Sequence, residues 1–232
     1  MLKIAHVCLS YGRFQALDDV SMEMATQGRL HGIIGPNGAG KSTLMDAIAG
    51  RRRLTAGHVF YRGQDITARS IAWRRRHGMA RSFQKSSLFP SLGVGEQLQL
   101  VARNLGERQL DDIIAVMDLG DYLGIKAGQI AYGVQRRIDV ALALIGRPQL
   151  LLLDEPGAGL SAAETLELFR HLKQLVRDRN IAAVVVEHDI DAVFSTCDTI
   201  SVMDLGRHVV TGAPADVRGD QRVITAYLGS AG

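Results

Sequence analysis

Three short stretches of this chain are apolar at nearly every position: residues 30–34, 150–153 and 181–186. Each is too short for a buried helix and is bounded by turn-forming or charged residues. Each therefore predicts a strand covered on both faces, as in a parallel sheet. Residues 1–34 carry a second pattern, alternating in strand fashion. Ile4, His6 and Cys8 fall on one side of a first strand, and Ala16, Asp18, Val20, Met22 and Met24 mark a second. Gln27-Gly28 makes the turn into 30–34. A further strand at 58–61 turns at Gly63, and 199–203 and 208–211 flank a hairpin turn at Asp204-Leu205-Gly206-Arg207.

Helical spacing appears between these strands. Residues 44–49 form a helix closed by Gly50, and Trp73 with Arg74-Arg75-Arg76 marks a helix face. From 93 to 123, Glu96, Leu98 and Leu100, then Leu110, Ile113, Ile114, Met117 and Leu119, recur at helical intervals, up to a glycine-rich bend at 124–128. Another helix runs from 130 to 145, ended by Gly146 and Pro148. Ser161 and Glu164 make a capping box for the next, and 214–228 is helical. Strand and helix alternate through most of the chain, the mark of the α/β class. The block at 93–123 interrupts that alternation and predicts a helical insertion.

The chemistry gathers at strand ends. Gly35-Pro36-Asn37-Gly38-Ala39-Gly40-Lys41-Ser42-Thr43 lies between the strand 30–34 and the helix at 44–49, the context of a phosphate-binding loop. Its glycines allow a tight turn that aims N–H groups inward, beside the positive end of a helix. Lys41 would reach β- and γ-phosphates, and Ser42 would ligate Mg²⁺. The strand 150–153 runs directly into Asp154-Glu155-Pro156. Adjacent acids at the C-terminal end of a buried strand are costly unless they serve a cation or a reaction. Asp154 would hold Mg²⁺ through water, and Glu155 would polarise an attacking water. The strand 181–186 ends in Glu187-His188-Asp189, which makes His188 a candidate γ-phosphate contact in the same topological position. Tyr11, in a turn with Gly12, has two readings, an adenine-stacking ring or an ordinary tyrosine.

Composition narrows the class. The 232 residues fit one large domain or a domain with an insertion, and 47% hydrophobic content supplies a substantial core. A net charge of +3 is weak support for nucleic acid. Arg51-Arg52-Arg53 follows a helix end, where cations are favourable, and has no interleaved aromatics to suggest a nucleic-acid patch. Two cysteines, Cys8 and Cys197, make no disulfide framework and suggest a reducing compartment. No stretch approaches the roughly 18 apolar residues of a membrane span, and no signal-peptide pattern opens the chain. The expectation is a cytosolic protein. If it works at a membrane, partners must supply the spans.

Together the motifs resemble the ATP-binding cassette ATPases over the whole chain. The phosphate loop is 35–43 and Gln84 matches the Q-loop glutamine. Ile130-Ala131-Tyr132-Gly133-Val134 matches the signature, Leu150 to Glu155 Walker B, Gly159-Leu160-Ser161 the D-loop and His188 the switch histidine. Within that family the chain is most similar to ATP-binding subunits of importers of branched-chain and other hydrophobic amino acids. Arg81-Ser82-Phe83-Gln84, Ala131-Tyr132-Gly133, Gln135-Arg136-Arg137, Glu155-Pro156-Gly157-Ala158-Gly159-Leu160, Glu187-His188-Asp189 and Ala226-Tyr227-Leu228-Gly229 carry that likeness. Val134 stands where a polar residue is usual, Ile130 replaces leucine, and the helical block is short for the subfamily.

The resemblance implies one nucleotide-binding domain over 1–232: a P-loop NTPase core with a mainly parallel sheet, an N-terminal antiparallel β subdomain and an α-helical subdomain inserted at about 86–146. It implies ATP as substrate and Mg²⁺ held by Ser42, Gln84 and Asp154. Tyr11, the phosphate loop, Ala131, Tyr132 and Gly133 would bind nucleotide; Lys41, Gln84, Glu155 and His188 would be catalytic. The expected partners are transmembrane permease subunits, a second cassette arranged head to tail, and a periplasmic or extracellular binding protein for an importer, with no direct nucleic acid. The expected place is the cytoplasmic face of the membrane. The rival readings are a lipid or lipopolysaccharide exporter ATPase, a soluble cassette acting on nucleic acid or the ribosome, and a phosphate-loop kinase or GTPase lacking the 130–137 block.

Overall fold

The apolar stretches lie side by side at the centre of a six-stranded sheet in the computed structural model, which describes residues 1–24, 26–82 and 88–228. In chain order, β1 (Leu2–Tyr11) and β2 (Phe14–Met24) precede β3 (Leu30–Ile34) and α1 (Lys41–Ala49). Next come β4 (Ala56–Tyr61), β5 (Gln64–Asp65), α2 (Ile71–Arg76) and β6 (Met79–Arg81). The helical block holds α3 (Val94–Leu105) and α4 (Asp111–Val116), followed by α5 (Tyr132–Leu144) and β7 (Leu150–Asp154). The remainder is α6 (Ala162–Asp178), β8 (Ala182–Val186), α7 (Ile190–Thr196), β9 (Thr199–Asp204), β10 (Arg207–Gly212), α8 (Pro214–Arg218) and α9 (Gln221–Leu228).

One sheet has the order β2-β1-β4-β5 and is antiparallel. The other has the order β10-β9-β3-β8-β7-β6 and is parallel except at the β9–β10 hairpin. Its central strands are covered on both faces, as their unbroken apolar runs require. Leu150 and Leu152 join one core with Leu44, Met45 and Ile48 of α1 and the inward residues of β1 and β2. Leu151 and Leu153 join the other, with Ile138 of α5 and Leu172 of α6. Each fully buried leucine contributes about 1.5–3 kcal/mol. Among the described residues, no helix is long and apolar enough to cross a membrane.

The alternation expected in the first strand does not persist. Leu2 and Ile4 are buried, but His6 is exposed and Val7 and Leu9 take the inward positions. The β1–β2 register shifts between Ile4 and Val7, where His6 (φ 52°) and Asp19 (φ 50°) both adopt left-handed backbone. This bulge reverses the inward face, so His6 and Cys8 do not share the side of Ile4. His6 Nδ1 lies 2.8 Å from Asp19 Oδ1, and the His6 N–H donates to Ser21 Oγ at 2.9 Å.

The helical stretches are more broken than their periodicity predicts. In 93–123, α3 stops at Gly106 (φ 69°), α4 is separate, and a single 3₁₀ turn covers Gly120–Tyr122. The block is pinched at its base, where Val94 N–H donates to Ile125 O and Ala127 N–H to Leu92 O, both at 3.0 Å. At 214–228, α8 ends at Gly219 and α9 restarts after Asp220, whose carboxylate accepts the Arg222 N–H at 2.8 Å.

The arginine run on α2 does structural work inside the molecule. Arg74 is buried and donates to Ile48 O at 2.5 Å, Ile66 O at 2.7 Å and Ala47 O at 3.3 Å, closing the C-terminus of α1. Arg75 donates to Ile145 O at 2.6 Å, just beyond α5. Burial lowers the pKa of Arg74 to about 10, still far above neutrality.

Candidate functional site

The site is assembled where β3, β7 and β8 end. β3 delivers the phosphate loop into α1. Gly40, at φ 93°, is the N-cap of α1, and a Cβ there would stand 2.7 Å from Ala16 O. At Gly35 a Cβ would stand 2.0 Å from Met203 O. No larger side chain fits either position without moving backbone. The loop wraps around Lys41, whose Nζ donates to Gly35 O at 2.7 Å and Pro36 O at 2.9 Å. Burial pulls the Lys41 pKa down, while the nearby carboxylates Glu155 and Asp154 pull it up.

The β7–β8 register pairs Asp154 with Val186, so the residues just beyond each strand meet. Glu155 is anchored by its N–H on Val186 O at 2.9 Å, in left-handed backbone at φ 50°. Its Oε1 lies 2.9 Å from Nε2 of His188. Ser42 Oγ donates to Asp154 Oδ1 at 3.2 Å. Burial raises the Asp154 pKa, opposed by the guanidinium of Arg81. Tyr11, Phe14, residues 37–43, Glu155 and His188 line one cavity of about 260 Å³. Tyr11 is 41% exposed, and the Arg52 guanidinium stands 5.3 Å from its ring centroid.

The signature residues lie apart from that cavity. Ala131 is the N-cap of α5 and offers no side-chain cap, and Tyr132 is 45% exposed. Tyr132 packs on the turn after β7: a Cβ on Gly159 would stand 2.5 Å from its ring, and one on Gly133 would stand 2.8 Å from Leu160 Cδ2. Val134 is buried in the core, which accounts for an apolar side chain there. Gln84 lies outside the described residues.

Two residues at the site had no role assigned from the sequence. Arg81 bridges Asp46 Oδ1 at 2.5 Å and Asp154 Oδ2 at 2.8 Å, and its side chain is only 10% exposed. Glu187 is buried and accepts the N–H of Gly157 and of His188, both at 2.8 Å. Burial pushes its pKa up, and those two N–H groups counteract the push. Its signal was an acid adjoining the candidate histidine at a strand end.

Residues 17–158 match the family model described as ABC transporter, and 207–232 match that of the branched-chain amino acid ATP-binding cassette transporter. The chain is 31% identical to the high-affinity branched-chain amino acid transport ATP-binding protein LivG of Escherichia coli, covering 100% of this chain and 98% of that protein. It is 30% identical to BraF, of the same description, from Pseudomonas aeruginosa, with the same coverage. It is also 30% identical to the Fe(3+) ions import ATP-binding protein FbpC 1 of Pectobacterium atrosepticum, covering 99% of this chain and 66% of that protein. Among solved structures, a nucleotide-free ATP-binding cassette from an ABC transporter superposes with a TM-score of 0.87 at 28% identity, covering 98% of each chain. The ADP conformation of such a cassette gives 0.88 at 27% identity, covering 99% and 98%.

Proposed function

The chain belongs to the ABC transporter family as an ATP-binding subunit whose relatives hydrolyse ATP to power transport, and on that premise we propose that it energises import of branched-chain or other hydrophobic amino acids. The match at 207–232 and the likeness to LivG and BraF support this substrate class. We treat 1–232 as one nucleotide-binding domain with its helical subdomain inserted at about 86–146. It would act as a peripheral subunit at the cytoplasmic face of the membrane.

The observation that carries the mechanism is that residues 37–43 of the phosphate loop, Glu155 and His188 line one cavity. Lys41 and the N-terminus of α1 would bind the β- and γ-phosphates of ATP, and Tyr11 would face the adenine. Glu155, held by His188, would orient the attacking water and draw on its proton. Ser42 and Asp154 present a hydroxyl and a carboxylate 3.2 Å apart, the hard oxygen donors that Mg²⁺ takes. They would hold that ion, with Gln84 as the further ligand expected from the motif. When bound, Mg²⁺ neutralises charge on the phosphate oxygens.

Because Ala131, Tyr132 and Gly133 do not line this cavity, the N-terminus of α5 would close over the nucleotide of a second cassette, head to tail. The permease subunits would seat in a groove of about 420 Å³ between α2, α3 and α5. Ile71, Phe89 and Leu100 line it and are more than half exposed, at 53%, 59% and 57%.

Two experiments test the reading. Lys41→Ala should lose ATP binding, whereas Glu155→Gln should retain binding and lose turnover; equal loss of affinity in both would refute the assigned roles. In proteoliposomes with its permeases, ATPase activity should rise with leucine-loaded binding protein. Stimulation by a ferric-iron binding protein alone would overturn the substrate class.

A further inference from the structure

At the opposite end of β6 and β7 from the nucleotide cavity lies a second concavity of about 530 Å³. Gly78 and Gln149, which precede those strands, form part of its wall. The turn after β4, the end of α2 and the turn before β7 complete it. Arg62, Arg75, Arg76 and Arg147 all contribute to the lining, which includes no carboxylate among the described residues.

The charge is not neutralised from within. Arg62 donates to Gln149 Oε1 at 2.5 Å, Arg75 to Ile145 O at 2.6 Å and Arg76 to Ala72 O at 3.3 Å. These acceptors are all neutral, and among the described residues no carboxylate pairs with these three arginines. Arg147 alone has an acidic partner, Glu107 at 3.2 Å, which is not part of the lining. Guanidinium groups around one concavity repel each other, and a shared anion removes that cost.

Tyr61 also contributes to this wall and is 3% exposed. Trp73 is held flat against His77, with ring centroids 3.6 Å apart and planes at 14°, and the Arg69 guanidinium stands 5.0 Å from its ring centroid.

We propose that this concavity is a binding site for a soluble oligophosphate, a small molecule carrying two or more linked phosphates, separate from the ATP site. Guanidinium forks match phosphate oxygens in pairs, and several around one concavity suit a compact polyvalent anion. The volume exceeds that of a single phosphate and falls within the roughly 300–1,000 Å³ of small-molecule sites.

The test uses inorganic pyrophosphate and the full chain. Lys41→Ala removes the competing phosphate loop, so equilibrium dialysis against labelled pyrophosphate should find one ion bound per Lys41→Ala chain. Adding Arg62→Glu and Arg76→Glu should weaken that binding at least tenfold. Both arginines are exposed, and unchanged ATP binding by the double variant with Lys41 intact would show that it folds. Trp73 is the only tryptophan, so its fluorescence should change saturably in step with the dialysis. No bound pyrophosphate in Lys41→Ala, or binding that survives the two charge reversals, would overturn the site.

Discussion

Glu187→Gln isolates a buried carboxylate that does not line the nucleotide cavity. In the native protein its two oxygens accept two backbone N–H groups, from Gly157 and His188, both at 2.8 Å. The first fixes the turn that follows Glu155; the second fixes the residue that holds Glu155. Glutamine has the same shape but only one acceptor oxygen. Its amide nitrogen must face one of the two N–H groups, leaving a buried donor unpaired at about 1–3 kcal/mol. The surviving bond loses its charge assistance, which roughly halves it. Against this, the variant no longer buries a charge, a cost visible in the raised pKa of Glu187. A net loss of about 2 kcal/mol follows, which in a chain of this size lowers Tm by about 4–8 °C. Calorimetry measures that shift. Turnover in the reconstituted transporter should fall at least about tenfold, or 1.4 kcal/mol, with ATP affinity changed less than twofold. An unchanged Tm together with unchanged turnover would show that the clamp does not organise Glu155 and His188.

Burial lowers the pKa of His31 from 6.5 to about 4. The unfolded chain takes up this proton first as pH falls, so stability should drop through that window by about 3 kcal/mol; an equal decline of the urea midpoint in His31→Gln would refute the assignment. Arg74→Met strips the carbonyls of Ala47, Ile48 and Ile66 of a shared donor and should cost about 2–4 kcal/mol by denaturant titration; a loss below 0.5 kcal/mol would contradict its capping role. At the N-cap of α5, Ala131→Ser should change reconstituted turnover less than about tenfold, because backbone N–H groups and the helix dipole remain. Gly133→Asp sets a side chain against Leu160, where a Cβ would stand 2.8 Å from Cδ2, and should nearly abolish turnover; a silent Gly133→Asp would refute backbone contact to the nucleotide of a second cassette.

The phosphate loop was legible because its requirements are local. Nine consecutive residues carry the glycines, the lysine and the hydroxyls, and both flanking elements show in the apolar pattern. Asp154 and Glu155 were legible because an unbroken buried strand ran straight into them. The partners of Arg81 and Glu187 were not, for these two residues act across the sheet. Arg81 meets Asp154 at a separation of 73 residues and Asp46 at 35, while Glu187 meets Gly157 at 30. In a linear sequence such charges resemble solvated ones, and only the adjacency of β6, β7 and β8 brings them together. The bulge at His6 was not legible either: His and Asp are enriched at positive φ, but only a small share of them adopt it, so residue type alone does not place a bulge. Two apolar runs that both end in acids, paired in parallel with their ends aligned, must bring Glu155 beside the residues after Val186. The contact between Glu155 and His188 is therefore a consequence of strand register, and the sequence motifs identify its members without setting the distance between them.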